Sequence, residues 1–358
     1  MSAAMSTAMN SMERTLTALD HREPDRVPLF LLTTLQGAPE LGMTIKEYFS
    51  RAENVTEGQL RLLEKYRADC VNALYYAAIE AEAWGGSTIF LPDGPPLCGA
   101  PVITRPEQID TLQPPKIANA AGLQRILETI RGLKAAVADT VPIIGITISP
   151  FSLPVMQMGF DRYIEIIYEQ RGRFWALMEA NIAYSVAWSN AQLAAGATAI
   201  CYFDPVSSTT NIPRELFLET GQVVAKRSIA QINGLTAIHM ASGRCLPIVG
   251  DLAETGAGAI GVSTLENLAE LKVVSNQRLS LLGNLNGVEM RRWTPAQAEA
   301  AVKHAIALAG RGGGYLLGEN HGEVPLQVPE EVLLAIRDAV ERWGQYPLDW
   351  IDAYLAPS

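Results

Sequence analysis

Apolar positions in this chain recur in two alternating rhythms. Short apolar runs bounded by Gly, Pro or polar residues lie at 27–32, 70–76, 141–147, 198–203, 235–240, 259–262, 279–282 and 315–317, and read as buried strands. Between them apolar residues fall at helical spacing over 56–66, 122–138, 161–195, 213–232, 245–254, 265–275 and 294–309. The last of these opens on Thr294-Pro295-Ala296-Gln297, a capping-box pattern, and closes at Gly310. A short helix is predicted over 12–19, and residues 1–11, small and polar, read as a disordered N-terminal tail. The final strand hands over through Gly318-Glu319-Asn320-His321-Gly322 to a helix that begins at Pro329. That helix carries Val332, Ile336, Val340 and Trp343 on one stripe and ends at Gly344.

Eight strands separated by helices imply parallel pairing, because parallel neighbours need a crossover. Eight such units predict an α/β fold, a (β/α)8 TIM barrel formed as a single domain by residues 12–358. The segment 85–106, rich in Gly and Pro, reads as a hairpin-like insertion after the second strand. No G-x-G-x-x-G follows the first strand and no G-x-x-x-x-G-K-[ST] occurs, so a nucleotide-binding fold gains no support.

Composition narrows the function classes. A chain of 358 residues with 48% hydrophobic and 18% charged positions has the make-up of a compact soluble protein. Its net charge of -10 argues against nucleic acid as a partner, since the phosphate backbone would be repelled. Cys70, Cys98, Cys201 and Cys245 are scattered, the pattern of reduced thiols rather than a disulfide scaffold. The N-terminus lacks a signal-peptide pattern, and the most apolar stretch, 141–156, is short and broken by Pro150 and Pro154. A cytoplasmic protein without membrane contact is expected.

In a barrel, chemistry sits at the carboxyl ends of the strands. Those ends carry Glu80 and Glu82 after the second strand, Asp204 after the fourth and His239 after the fifth. Asn284 and Asn286 close the seventh, and Glu319, Asn320 and His321 the eighth. Two of the four histidines, His239 and His321, thus close different strands at one predicted rim. With Asp204 and one of Glu80 or Glu82 they would make a zinc set or acid–base machinery. Plainer roles exist for each. Glu80 and Glu82 suit a solvated helix start, Asp204 before Pro205 suits a turn, and Asn284 and Asn286 suit loop stabilisation. Of Tyr75 and Tyr76, alternation lets at most one line a cavity.

Several segments together resemble the uroporphyrinogen decarboxylase superfamily. They are Glu23-Pro24-Asp25-Arg26-Val27-Pro28, Glu80-Ala81-Glu82-Ala83-Trp84-Gly85, Asp204-Pro205-Val206-Ser207-Ser208, Leu282-Gly283-Asn284-Leu285-Asn286, His321-Gly322-Glu323-Val324-Pro325 and Val328-Pro329-Glu330-Glu331. The resemblance covers nearly the whole chain and implies the same barrel, often dimeric, so a homodimer is expected. The decarboxylase branch has an arginine-rich loop after the first strand; here residues 31–39 contain no arginine, although His321-Gly322 is similar to its substrate-contacting His-Gly. The corrinoid-dependent methyltransferases of the methylcobamide:coenzyme M type look closer. Their zinc is held by a His-x-Cys after the fifth strand and a Cys in the last loop. His239 matches the first ligand, Ala241 stands where the cysteine would be, and His321 falls at or beside the remaining one.

The resemblance therefore implies a harder zinc site of His239, His321 and Glu80, with Asp204, Glu82 and His239 catalytic and Tyr76, Asn284 and Asn320 contacting substrate. Such a site suits methyl transfer between a small O- or N-methylated substrate and a corrinoid protein or free cobalamin. The alternatives are a carboxy-lyase working without metal and a non-catalytic corrinoid- or tetrapyrrole-binding relative.

Overall fold

In the computed structural model, which describes residues 8–356, eight parallel strands curl into one sheet. In chain order these are β1 (Leu29–Phe30), β2 (Val71–Asn72), β5 (Ile143–Ile148), β6 (Ala199–Phe203), β7 (Leu235–His239), β8 (Ala259–Gly261), β9 (Ser280–Leu285) and β10 (Tyr315–Glu319). Around the ring the order is β1-β10-β9-β8-β7-β6-β5-β2, every neighbouring pair parallel, as a TIM barrel requires. The two remaining strands, β3 (Thr88–Ile89) and β4 (Leu97–Cys98), pair antiparallel, so the insertion after the second strand is a hairpin.

The first two strands are shorter than their apolar runs predict, two residues each. The ring is closed at this seam by a buried ionic cluster rather than a ladder. Asp69 donates its N–H to the carbonyl of Leu29 at 2.7 Å, and its carboxylate accepts the N–H of Leu29 at 2.8 Å. The same carboxylate takes Arg14 at 2.6 Å, Arg26 at 2.7 Å and the hydroxyl of Ser11 at 3.0 Å. Arg14 also grips Asp25 through two nitrogens, at 2.6 and 2.7 Å. Further along the seam the Asn72 amide donates to Leu31 O at 3.1 Å.

The N-terminal expectation falls partly on residues 1–7, outside the described part. Residues 8–11 are tied down: Met9 N–H donates to Asp25 at 3.1 Å, and Asn10 caps the helix Ser11–Leu19 with a capping box. The single helix expected over 161–195 is broken into Phe160–Glu169 and Arg171–Ala195, the break falling at Gln170. The final helix, Glu330–Trp343, starts behind Pro329 and buries Val332, Ile336 and Val340, as its stripe predicts. Among the described residues no helix is long and apolar enough to cross a membrane.

Removing one partner from a buried, multiply bonded ion cluster leaves charge uncompensated. Asp69→Ala is expected to lower unfolding free energy by about 3 kcal/mol in a urea titration. A loss below about 1 kcal/mol would mean that the seam is held by something else.

Candidate active site

The carboxyl rim of the barrel is built by side chains from β6, β7 and β10, packed against the backbone of β8. His239, the last residue of β7, is only 4% exposed, and its ring stacks on Phe203 of β6 with centroids 5.5 Å apart. The stack is held between two glycines. A Cβ on Gly261 of β8 would lie 2.5 Å from the His239 ring, and one on Gly322, at φ +102°, would lie 2.5 Å from the Phe203 ring. Glycine is required at both positions because the rings lie directly against the backbone.

The tautomer of His239 follows from its backbone contact. Nδ1 accepts the N–H of Ala241 at 3.0 Å, so in the neutral ring the proton sits on Nε2, which presents a donor. Burial, helped by the nearby His321, lowers its pKa to about 4, so the ring is neutral at physiological pH. Gly322, next to His321, packs on the Phe203 ring that stacks on His239, which brings the two imidazoles to one rim.

Glu319 ends β10 beside them. It is buried, and its carboxylate accepts the N–H groups of His321 and, at 3.1 and 3.2 Å, Gly322. Burial pushes its pKa up to about 7 against the opposing pull of those two N–H groups, with Glu323 adding to the rise. Gly287, in the loop after β9, lies against both Glu319 and Nδ1 of His321, which has no partner. Glu323 accepts the hydroxyl of Thr34 at 2.7 Å and is itself raised by burial. Asn320 is fully buried with neither amide atom bonded, and Asn284 donates to the carbonyl of Ser263 at 3.0 Å.

The acidic residues expected at this rim are taken up by hydrogen bonds within the protein. Asp204, 1% exposed, accepts three hydroxyls, from Ser149 at 2.5 Å, Ser152 at 2.7 Å and Ser207 at 2.6 Å, and so knots the ends of β5 and β6 together. Glu80 accepts the N–H of Ile148 at 2.8 Å, and its other oxygen is buried without a hydrogen-bond partner. Glu82 accepts the hydroxyl of Tyr76 at 3.2 Å and lines a separate crevice with Lys116 and Asn119. Expected as metal ligand and acid–base groups, Glu80, Glu82 and Asp204 all bond within the protein, and Tyr76 goes with Glu82. The carboxylates nearest His321 in the chain and unpaired with the serine knot are Glu319 and Glu323. Glu319 carried a usable signal, a carboxylate ending the final buried strand two residues before His321; Glu323 stood only inside the His321-Gly322-Glu323-Val324-Pro325 segment, with nothing to set it apart.

These residues do not fit a zinc ion. Ligation through Nε2 of His239 would need the ring proton on Nδ1, where the Ala241 N–H already points. Among the described residues no three His, Cys, Asp or Glu side chains are grouped to hold a metal.

The sequence profile described as "Uroporphyrinogen decarboxylase (URO-D)" matches residues 10–343. The chain belongs to the uroporphyrinogen decarboxylase family. Within that family it is similar to proteins of two kinds. A uroporphyrinogen decarboxylase of Tolumonas auensis is 24% identical over 93% of this chain and 97% of that protein. The methylcobamide:CoM methyltransferase MtaA of Methanosarcina barkeri is also 24% identical, over 91% of this chain and 96% of that protein. A solved methyltransferase from Methanosarcina mazei superposes with a TM-score of 0.79 at 21% identity, covering 93% of this chain and 99% of that one, and so shares the fold. The URO-D family is one of enzymes, and the two kinds of relative are equally distant in sequence.

Glu80 offers a test of stability. Its pKa is raised from 4.5 to about 8 by complete burial, so the folded state holds a proton that the unfolded chain releases. Its contribution is therefore fully present below about pH 4.5 and is lost as pH rises toward 8, at up to about 1.4 kcal/mol per pH unit. Glu80→Gln is expected to flatten the fall in thermal stability between pH 5.5 and pH 8.5. An unchanged profile would show that Glu80 does not carry it.

Proposed function

We propose that this URO-D family member moves a methyl group from an oxygen-bound methyl donor to a reduced corrinoid, presented as free cobalamin or by a corrinoid protein. The observation that supports it over decarboxylation is the lack of a cation lining the cavity at His239 and Glu319. Among the described residues no lysine or arginine lines the cavity under His239 and Glu319, and the segment after β1 is arginine-free, with Gln36 turned to the carbonyls of Val324 and Pro325. A polycarboxylate substrate would meet Glu319 and Glu323 with no cation to receive it. A neutral methylated oxygen suits a rim of one neutral N–H donor and one carboxyl that titrates near neutrality.

The chemistry asked of the protein is activation of a poor leaving group. The carbon–oxygen bond to the methyl breaks with its electron pair left on oxygen, while the methyl carbon forms its new bond to the cobalt of the corrinoid co-substrate. The oxygen takes a proton from Glu319 in its protonated form and accepts a hydrogen bond from Nε2–H of His239. Phe203, Gly261 and the Ala241 N–H fix the imidazole in the donating orientation, which removes the cost of ordering it at the moment of reaction.

Methyl transfer is read from the absorbance change of cob(I)alamin as it becomes methylated. Glu319→Gln is expected to lower kcat by about 100-fold or more, and His239→Ala by a similar factor. The rate should fall as pH rises through about 7, where Glu319 loses its proton, and Glu319→Gln should erase that limb. Turnover of uroporphyrinogen with no methylation of cobalamin would replace this reading by the carboxy-lyase. Elemental analysis is expected to find substoichiometric zinc, with activity surviving chelation; stoichiometric zinc whose removal abolishes activity would overturn the proton-donor assignment.

A further inference from the structure

In a filled barrel the lumen is packed by layers of branched side chains. Here one layer is thin. Strand register aligns Ile146 with Cys201, Cys201 with Ala237 and Ala237 with Ala259, so three consecutive strands contribute only a thiol or a methyl at this level. The level above is Phe203, His239 and Gly261. A cavity of about 260 Å³ results, reaching from His239 and Glu319 at the rim down to the helix Ser11–Leu19 that covers the other end. Its walls are mostly carbon; His239 and Glu319 supply the polar groups at the rim end, and Thr15, Asp20, Thr198 and Thr236 those at the opposite end.

An apolar cavity of about 150 Å³ holds one benzene ring and excludes water. The larger space here admits a ring with substituents. A rigid ring fills such a space with few rotamers to freeze, whereas an alkyl chain of equal volume would lose several. We propose that the barrel lumen is a binding site for a single substituted aromatic ring, seated beside Cys201, Ala237 and Ala259 with its oxygen substituent at Nε2–H of His239. Identifying the ring as the body of the methyl donor rests on the methyl-transfer reading; the ring site itself does not.

The test uses anisole and toluene with the full-length protein, followed by calorimetric titration and by the shift in Tm. Both compounds are expected to bind and to raise Tm. Ala237→Leu and Ala259→Leu fill the lumen and are expected to weaken anisole binding by about tenfold or more, with near-UV circular dichroism unchanged. Should either leucine variant fail to fold, Ala237→Val makes the same test with a smaller side chain. Absence of binding to the wild-type protein, or an unchanged Kd in the filled variants, overturns the ring site. Anisole that binds but never methylates cob(I)alamin, when no other methyl ether does so either, overturns the methyl-transfer reading and leaves the ring site standing. Methyl transfer from small aliphatic ethers without any binding of the two aromatic probes overturns the ring site alone.

Discussion

The barrel depends on one carboxylate. Asp69 stands where the second strand should pair with the first, and a ladder of two-residue strands has too few hydrogen bonds to close a ring. The carboxylate replaces the missing rungs with charge-assisted bonds to Arg14, Arg26, Ser11 and the Leu29 amide, all within 3.0 Å. Its partners come from the first helix and from the Glu23-Pro24-Asp25-Arg26 segment, so the N-terminal helix becomes part of the closure. Because that helix also lines the lumen, the ion cluster bears both on how the ring shuts and on where the wall at that end of the cavity sits.

The rim and the lumen share a physical character. His239 and Glu319 are both buried, and among the described residues no lysine or arginine lines the cavity beneath them. His239 is kept neutral with its proton on Nε2, while Glu319 is lifted toward neutrality by the same desolvation. Solvent exclusion thus pushes a base and an acid in opposite directions, each toward its uncharged form, the state in which each can donate a hydrogen bond. Such a rim has little use for an anion and good use for a neutral oxygen.

Much of this was legible in the chain. Alternating runs of apolar residues gave the eight strands and their order, and the strand-end rule put His239 and His321 at a common rim. Side-chain direction was not legible. Asp204 follows β6 as expected, but its orientation was decided by three serines, two of them in the β5 loop, and Glu80 was drawn to the amide of Ile148 on a neighbouring strand. Such partners are distant in sequence, and nothing in a run such as Glu80-Ala81-Glu82 marks which oxygen will find an N–H. The hollow lumen was hidden for a related reason. Ala237 and Ala259 read simply as apolar strand residues, and their shortness matters only once register lines them up.

The loop that carries His321 is moored to the opposite end of the chain. Val324 donates its N–H to Leu32 O at 3.0 Å, Gln36 donates to Val324 O at 2.9 Å, and Thr34 holds Glu323. The rim therefore exists only after the last strand has slotted in beside the first. During synthesis the polypeptide would leave the ribosome almost to its end with His239 already on its strand but with no second imidazole facing it, so competence arrives in a single late step rather than accumulating domain by domain.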